Sequence, residues 1–412
     1  MPSFQAPPGT FDVLPPASAR YEQLVARFHA LAARAGYGLV LTPLFEDVGV
    51  FQRVGESTDI VRKEMYDFTD KGGRHLALRP EGTASVVRAY LQHRPPAPFK
   101  AWYVAPHFRY ERPQAGRFRQ HHQVGVEALG SADPDLDVEV VTLAWSLYRD
   151  LGLTRVRLRL TSLGDAVCRP TYRRALLDHL VPRRSRLCDE HGERLEENPL
   201  RALDCKRPAC REATADAPRM LDHLCDACAA HFARVREGLG ALEVPFDVDP
   251  TLVRGLDYYT RTTFEFEAEA LESAQNGAGG GGRYDGLVEE LGGPPTPGIG
   301  FGLGIERILL ACDAEGVFPV PDDALDVFVI DTTGGAEARD LTAELRAAGL
   351  RADRAWDDRS WKAQMKAALR SGAALAVSVE PTGVTVRTLR EKGEPEAVDR
   401  ALIVEQVCKR LA

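Results

Sequence analysis

Apolar positions along the chain switch repeatedly between a helical period and an alternation of two, and the switches predict its elements. After Pro15-Pro16, Ser18 stands as a candidate N-cap. Tyr21, Leu24, Val25, Phe28 and Leu31 follow at helical spacing, and Gly36 is a natural stop. Residues 37–44 read as a strand broken at Pro43, residues 76–79 as a short strand, and residues 83–92 as a helix. Residues 99–111 and 122–129 read as strands on either side of an Arg- and Gln-rich turn. Asp133-Pro134 opens a helix running to about Leu151. Residues 155–160 alternate arginine with apolar side chains, as an antiparallel strand with one wet face would.

From about residue 168 to 242 the pattern turns helical, charges become dense and cysteines cluster, which reads as an insertion between two halves of a sheet domain. Sheet character returns at 262–268, where Phe264 and Phe266 alternate with Glu265 and Glu267. A glycine-rich segment follows, then a strand and helix around 298–312. Pro319, Pro321 and Asp322-Asp323 make a linker-like break. Beyond it, strands at 327–330, 374–379 and 384–389, helices at 336–348 and 361–370, and a final helix predict a small α/β domain.

Composition narrows the class. A chain of 412 residues, 44% hydrophobic and 27% charged, is a soluble globular protein with room for two or three domains. A net charge of -8 gives no general attraction to nucleic acid, so any such contact must come from local basic groups. Arg183, Arg184 and Arg186 form one such group, and the stretch from Arg109 to Arg119 another. The first residues lack the charged and apolar segments of a secretion signal, and no apolar run is long enough to span a bilayer. The expectation is a cytoplasmic enzyme with reduced thiols and no membrane partner.

Five segments carry candidate chemistry. In residues 108–123, Arg109 and Glu111 would share a strand face, a pairing that suits a phosphate oxygen and an adenine amino group, although a surface ion pair would look the same. On the next strand Gln123, Gly125 and Glu127 share one face and Val124, Val126 and Ala128 the other, so the glycine leaves a gap between two polar grips. Pro80-Glu81-Gly82-Thr83 puts a carboxylate and a hydroxyl at a helix start. That suits an ammonium group or, more plainly, a capping turn. Arg254 precedes Gly255, which lets the backbone aim the guanidinium, and Tyr258 and Tyr259 follow as pocket-lining rings. Gly298, Gly300, Gly302 and Gly304 leave one strand face bare, and Arg307 follows one turn into a helix, near its positive end.

Two patterns read differently. Residues 277–282 match G-x-G-x-x-G, but no clear strand leads into them and a dinucleotide fold is not expected. Cys205-x4-Cys210 and Cys225-x2-Cys228, with Cys188 and His191 upstream, have ribbon-like spacing that could hold zinc. Only one pair is C-x2-C, and free thiols with no metal are the expectation.

Together these segments resemble the three motifs of class II aminoacyl-tRNA synthetases: residues 37–47 motif 1 with its proline at Pro43, residues 108–111 and the following loop motif 2, and residues 300–307 motif 3. Residues 252–261 (LVRGLDYYTR) and 281–286 (GGRYDG) resemble signatures of the histidyl-tRNA synthetase family. Residues 56–66 (ESTDIVRKEMY) and 78–84 (LRPEGTA) match it as well. The likeness covers nearly all of residues 1–320. Residues 325–412 look like the family's anticodon-binding domain, especially 360–372.

The resemblance implies an α+β catalytic domain on an antiparallel sheet over residues 1–320, with a helical insertion at about 168–242, and a small C-terminal α/β anticodon-binding domain. It implies a homodimer with motif 1 at the interface, and ATP-dependent ligation of L-histidine to tRNA(His) through a histidyl-adenylate, with Mg²⁺. Motif by motif, Glu81, Gly82 and Thr83 would hold the histidine ammonium. Gln123 and Arg254 would lie near the carboxylate and α-phosphate. Glu127, Tyr258 and Tyr259, with Tyr284 nearby, would form the imidazole pocket. Arg109 would bind the α-phosphate, Glu111 the adenine and Arg307 the γ-phosphate. Arg112, Gln114 and Arg117 would approach the tRNA acceptor end. The rival readings are a non-catalytic regulatory paralogue of histidine biosynthesis and a synthetase for proline or threonine. An intact C-terminal segment argues against the former and residues 252–261 against both.

Overall fold

The computed structural model describes residues 4–55, 58, 60–203, 205, 207–252, 258–271, 276–322, 324–357, 359–389 and 394–411. They fall into two compact units, Met1–Val320 and Pro321–Ala412. Local chemistry sets several element ends. The helix Pro134–Asp150 starts as its sequence predicts: the Asp133 carboxylate accepts the Asp135 amide at 3.0 Å and proline fills the first position. The first helix, Ala17–Arg34, instead begins behind Pro16. Ser18 lies inside its first turn, its amide already bonded to the Leu14 carbonyl at 3.1 Å.

The strands of the first unit are β1 (Gly38–Leu39), β2 (Phe45–Asp47), β3 (Tyr66–Thr69), β4 (His75–Leu78), β5 (Phe99–Phe108), β6 (Gln120–Leu129), β7 (Val156–Ser162), β8 (Asp247–Val248), β9 (Thr260–Ala268), β10 (Gly277–Arg283) and β11 (Gly298–Gly304). Among the described residues, eight of them form one sheet in the order β1-β5-β6-β11-β10-β9-β7-β8, and β2, β4 and β3 a small second one. Every pairing from β5 to β7 is antiparallel, and only the two-residue outer strands β1 and β8 add in parallel. The antiparallel sheet is therefore the one the sequence implied.

One face of this sheet is core. Val124, Val126, Ile299, Phe301, Leu303, Phe264, Phe266, Leu158 and Leu160 pack there with residues of Ala17–Arg34, Pro134–Asp150 and the helix Asp226–Ala241. The other face carries Gln123, Glu127, Glu265, the glycines of β11 and Gly280 and Gly282 of β10, so the pleat alone separates core from chemistry. Fully buried Asp137 ties the layers together. It lies 2.6 Å from the equally buried Arg283 of β10 and 2.8 Å from Nε2 of His231.

The structure changes three points of the sequence reading. Residues 37–44 contribute only the two-residue β1, because Pro43 ends the ladder and the Thr42 and Pro43 carbonyls turn to the Arg79 guanidinium. The glycine-rich 277–282 segment, to which the sequence pattern assigns no element, is β10, hydrogen-bonded on both sides. The four cysteines grouped as one ribbon-like set are separated: Cys205 and Cys210 lie with Cys188 and His191, and Cys225 and Cys228 with Cys168 and Asp165.

The insertion is helical, with Arg169–Leu180, Asp189–Glu193 and Pro208–Thr214 around its own cluster of Tyr172, Leu176, Leu180, Leu187, Leu195 and Met220. In the second unit the strands are β12 (Val327–Asp331), β13 (Ala352–Arg354), β14 (Leu375–Glu380), β15 (Gly383–Thr388) and β16 (Glu396–Val398), in the order β13-β12-β14-β15-β16. Leu341, Leu345, Ile403 and Val407 cluster with Val327, Val329 and Val377 of this sheet, while Met365 and Ala368 cluster with Phe328, Ile330 and Ala376. The helices therefore lie on both faces, as the α/β pattern requires. No helix among the described residues is long and apolar enough to cross a membrane.

Candidate functional site

The alternate glycines of β11 decide where the site lies. A Cβ on Gly298 would meet the Tyr284 ring at 2.2 Å, on Gly300 the Glu127 Oε2 at 2.0 Å, and on Gly302 the Gln123 Oε1 at 2.8 Å; Gly304 faces the Arg307 Cβ at 3.9 Å. The strand face left bare in sequence is thus filled from its neighbours, in a fixed order of tyrosine, carboxylate, amide and guanidinium. At about 3.4 Å per residue, the order spreads over roughly 20 Å between Gly298 and Gly304.

At the carboxylate end, Glu127 is fully buried. Its Oε1 accepts the Thr83 hydroxyl at 2.8 Å and its Oε2 the Tyr284 hydroxyl at 2.5 Å. Burial pushes this carboxyl up to about 8, against the hydrogen bonds from Tyr284 and Thr83 that favour its charge. Glu81 is also raised by burial. Its oxygens accept the Thr83 amide at 2.6 Å and the Ala84 amide at 2.8 Å, so it does cap the helix Thr83–His93 while still lining the cavity. Tyr258 packs against Tyr259 with ring centres 4.8 Å apart and planes tilted by 54°, and meets Tyr284 edge-on at 6.0 Å.

At the other end are guanidiniums. Arg307 Nε donates to the Gly116 carbonyl at 2.9 Å and its Nη1 to the Gly277 carbonyl at 2.6 Å, which pins the side chain between the β5–β6 loop and β10. Arg109 Nε donates to the Pro80 carbonyl at 2.9 Å. Burial, then the charges of Arg109 and Arg307, hold His121 down to about 3, so its ring is neutral. Between the two ends lies a cavity of about 230 Å³. Arg109, Arg117 and Arg307 converge on it, Arg117 already paired with Glu111, and guanidiniums held in place at one end suit a polyanion.

The structure brings Glu81, Gly82, Thr83, Arg109, Arg117, Gln123, Tyr258, Tyr259 and Arg307 to the cavity wall and sets Glu127 and Tyr284 directly behind it. Glu111 is not on that wall. β5 ends at Phe108, and the chain turns so that the Glu111 amide bonds the Arg109 carbonyl at 2.8 Å; the two side chains do not share a strand face. Glu111 instead pairs with Arg117 Nε at 2.8 Å. Arg112 and Gln114 are exposed on the same loop, whose turn is closed by Gln114 and Arg117. Arg254 lies outside the described residues.

Four polar side chains of the wall, Tyr103, His121, Glu265 and Glu306, were not legible as site residues in the sequence. Tyr103 stands opposite Gly125 across β5 and β6, and a Cβ at Gly125 would fall 2.4 Å from its hydroxyl. A tyrosine facing a glycine is a usable signal once the register is known, but the 11-residue connection hid it. Glu265 alternates with Phe264 and Phe266 along β9, and its side of the strand is the cavity. His121 and Glu306 are linked through the neighbouring His122, whose amide donates to Glu306 at 3.0 Å.

A family model described as histidyl-tRNA synthetase matches residues 9–308. The histidine--tRNA ligase of Mycolicibacterium vanbaalenii is 51% identical over 420 residues, covering 100% of this chain and 99% of its own. That of Moorella thermoacetica is 48% identical over 98% of both chains. The crystal structure of apo Staphylococcus aureus histidyl-tRNA synthetase superposes with a TM-score of 0.83 at 36% identity, covering 98% of this chain and 99% of that one. A Bacillus halodurans structure titled as an ATP phosphoribosyltransferase regulatory subunit/histidyl-tRNA synthetase shares the fold at a TM-score of 0.61 and 22% identity.

Proposed function

The chain belongs to the histidyl-tRNA synthetase family, and from that premise we propose how its side chains divide the work between histidine, ATP and tRNA. The activity is the ATP-dependent ligation of histidine to tRNA, as named for relatives matching along their whole length. The regulatory reading has less behind it, since the structure carrying that title shares the fold at much lower identity.

The observation that carries the assignment is the buried Glu127 carboxyl, held between Thr83 and Tyr284 and walled by Tyr258 and Tyr259. A carboxyl that can gain or lose its proton near neutral pH is matched to an imidazole, whose ordinary value is about 6.5. A wrong side chain would leave this group and its tyrosines unpaired, a strong basis for discrimination. Glu81 and Thr83 hold the α-ammonium, and Gln123 reaches the carboxylate. Arg109 takes the α-phosphate and Arg307 the γ-phosphate. Glu111 and Arg254 keep their roles on the family resemblance alone: Glu111 for the adenine amino group, Arg254 near the α-phosphate.

The histidine carboxylate attacks the α-phosphorus in line and pyrophosphate leaves, giving the adenylate. A tRNA terminal ribose hydroxyl then attacks the adenylate carbonyl. Charge builds on phosphate oxygens, so guanidiniums fixed by backbone carbonyls, as Arg109 and Arg307 are, stabilise it without reorganising. No side-chain nucleophile is required. The Glu265 and Glu306 carboxylates, which line the wall, would hold Mg²⁺, and the ion would neutralise phosphate charge there.

Arg112, Gln114 and Arg117 present the motif 2 loop to the acceptor end, and residues 325–412 read the anticodon of tRNA(His). The motif 1 region supports a homodimer: Leu39, Leu41, Leu44 and Phe45 are exposed apolar side chains in one short stretch, Leu41 at 76%. The reaction belongs in the cytoplasm, with its tRNA and ATP. Calorimetric titration of histidine into wild type and Glu127→Gln tests the pocket. Binding lost in the variant while ATP binding is kept supports it; equal histidine affinity refutes it.

A further inference from the structure

The insertion carries two groups of side chains that histidine ligation does not use. Cys188, His191, Cys205 and Cys210 each bring one sulfur or ring nitrogen within 4.8 Å of the others, and Asp165, Cys168, Cys225 and Cys228 do the same with three sulfurs and a carboxylate oxygen. They take six of the chain's eight cysteines, which packing of small apolar residues at large would not gather in this way. None is in a disulfide.

The spacing inside each group is that of ligands. Cys168 Sγ and Cys228 Sγ are 3.8 Å apart. That is nearly twice a disulfide length of about 2.05 Å. It matches the roughly 3.8 Å edge of a thiolate tetrahedron around zinc, given a Zn–S distance of about 2.3 Å. Asp165 Oδ1 lies 3.5 Å from Cys168 Sγ and 3.9 Å from Cys225 Sγ. In the other group Cys188 Sγ is 3.1 Å from His191 Nδ1. Backbone amides already point at the sulfurs: the Cys188 amide donates to Cys210 Sγ at 3.1 Å and the Asp165 amide to Cys168 Sγ at 3.2 Å. Such second contacts orient ligand atoms. Cys225 also precedes the helix Asp226–Ala241, whose positive end favours a thiolate.

We propose that the insertion holds two structural zinc ions, one on Cys188, His191, Cys205 and Cys210, the other on Asp165, Cys168, Cys225 and Cys228. Thiolate with imidazole or a single carboxylate selects zinc over harder cations, and four protein ligands leave no open position for catalysis. The second ion also touches the histidine pocket's support. Arg261 Nη2 lies 3.4 Å from Asp165 Oδ2, and the backbones of Leu163, Gly164 and Arg261 exchange two hydrogen bonds of 2.7 Å, three residues from Tyr258. Zinc at Asp165 therefore fixes one end of the segment that bears the pocket tyrosines.

Metal content of the tag-free, full-length protein, purified without chelator or added metal, tests this. The expected result is about two zinc ions per chain in wild type, about one in Cys210→Ser and in Cys228→Ser, and none in the double variant. Should a serine variant lose its fold, cobalt(II) exchanged into wild type reports the same ligands. Two equivalents giving the intense visible bands of tetrahedral, thiolate-bound cobalt support the proposal. Wild-type protein with no zinc, and no such bands with cobalt, overturns it. A single equivalent overturns whichever site is still intact in the variant that has lost it.

Discussion

Gly300 stands directly opposite Glu127 across β11 and β6, and a methyl group there would fall 2.0 Å from the carboxylate. The Val126 carbonyl is 2.4 Å away on the same side, so the carboxylate would have to move with the backbone or against it. Gly300→Ala should lower kcat/KM for histidine in pyrophosphate exchange by about 10² or more, ~2.7 kcal/mol of transition-state stabilisation. The ATP KM should stay within about threefold, since the guanidinium end is two glycines away. Steady-state kinetics with each substrate varied in turn separates the two.

Glu127 also makes the empty protein's stability depend on pH. Its folded carboxyl sits at about 8, above the ordinary 4.5, through burial. Between those values the folded state holds a proton the unfolded state has lost. Its contribution to stability is therefore full below about 4.5, falls as pH rises to about 8 and is level above. Glu127→Gln keeps the neutral shape at every pH. Its melting temperature relative to wild type should climb from pH 5 to pH 8.5; a difference independent of pH would contradict the buried, protonated carboxyl.

Arg307 donates to two backbone carbonyls in different segments, a geometry that an ammonium cannot copy. Arg307→Lys should raise the ATP KM about tenfold, ~1.4 kcal/mol, and leave histidine binding unchanged. A lysine variant with wild-type ATP dependence would mean that charge alone suffices.

The Arg283–Asp137 pair has both side chains at 0% exposure. Arg283→Met leaves Asp137 buried without its main partner, a loss of roughly 3–5 kcal/mol that thermal unfolding should show. Adding Asp137→Leu should recover only part of it, because two apolar groups can replace a buried pair but His231 Nε2 then loses its partner.

Much of this was legible in the sequence where side chains carry the pattern. Asp133-Pro134 announced its helix, and the Val124–Val126–Ala128 face announced which side of β6 is core. β10 was not legible, because a strand of glycines has no alternation to read; it exists through its neighbours, Gly281 packing 2.0 Å by its would-be Cβ from the Gly300 carbonyl. β13 and β16 are three residues each, too short for a periodic signal. In the site, Glu127 was found from its strand face, whereas Tyr103 needed the register across β5 and β6. Cysteine spacing picked out both pairs but grouped them as one set; the structure separates them, with Cys188 and His191 joining one and Cys168 and Asp165 the other.

ATP–pyrophosphate exchange with each of the twenty amino acids, in the absence of tRNA, bears most directly on the histidine and ATP assignment. Exchange with histidine alone, abolished in Glu127→Gln, is the predicted result. Exchange with another amino acid, or none with histidine, would contradict it.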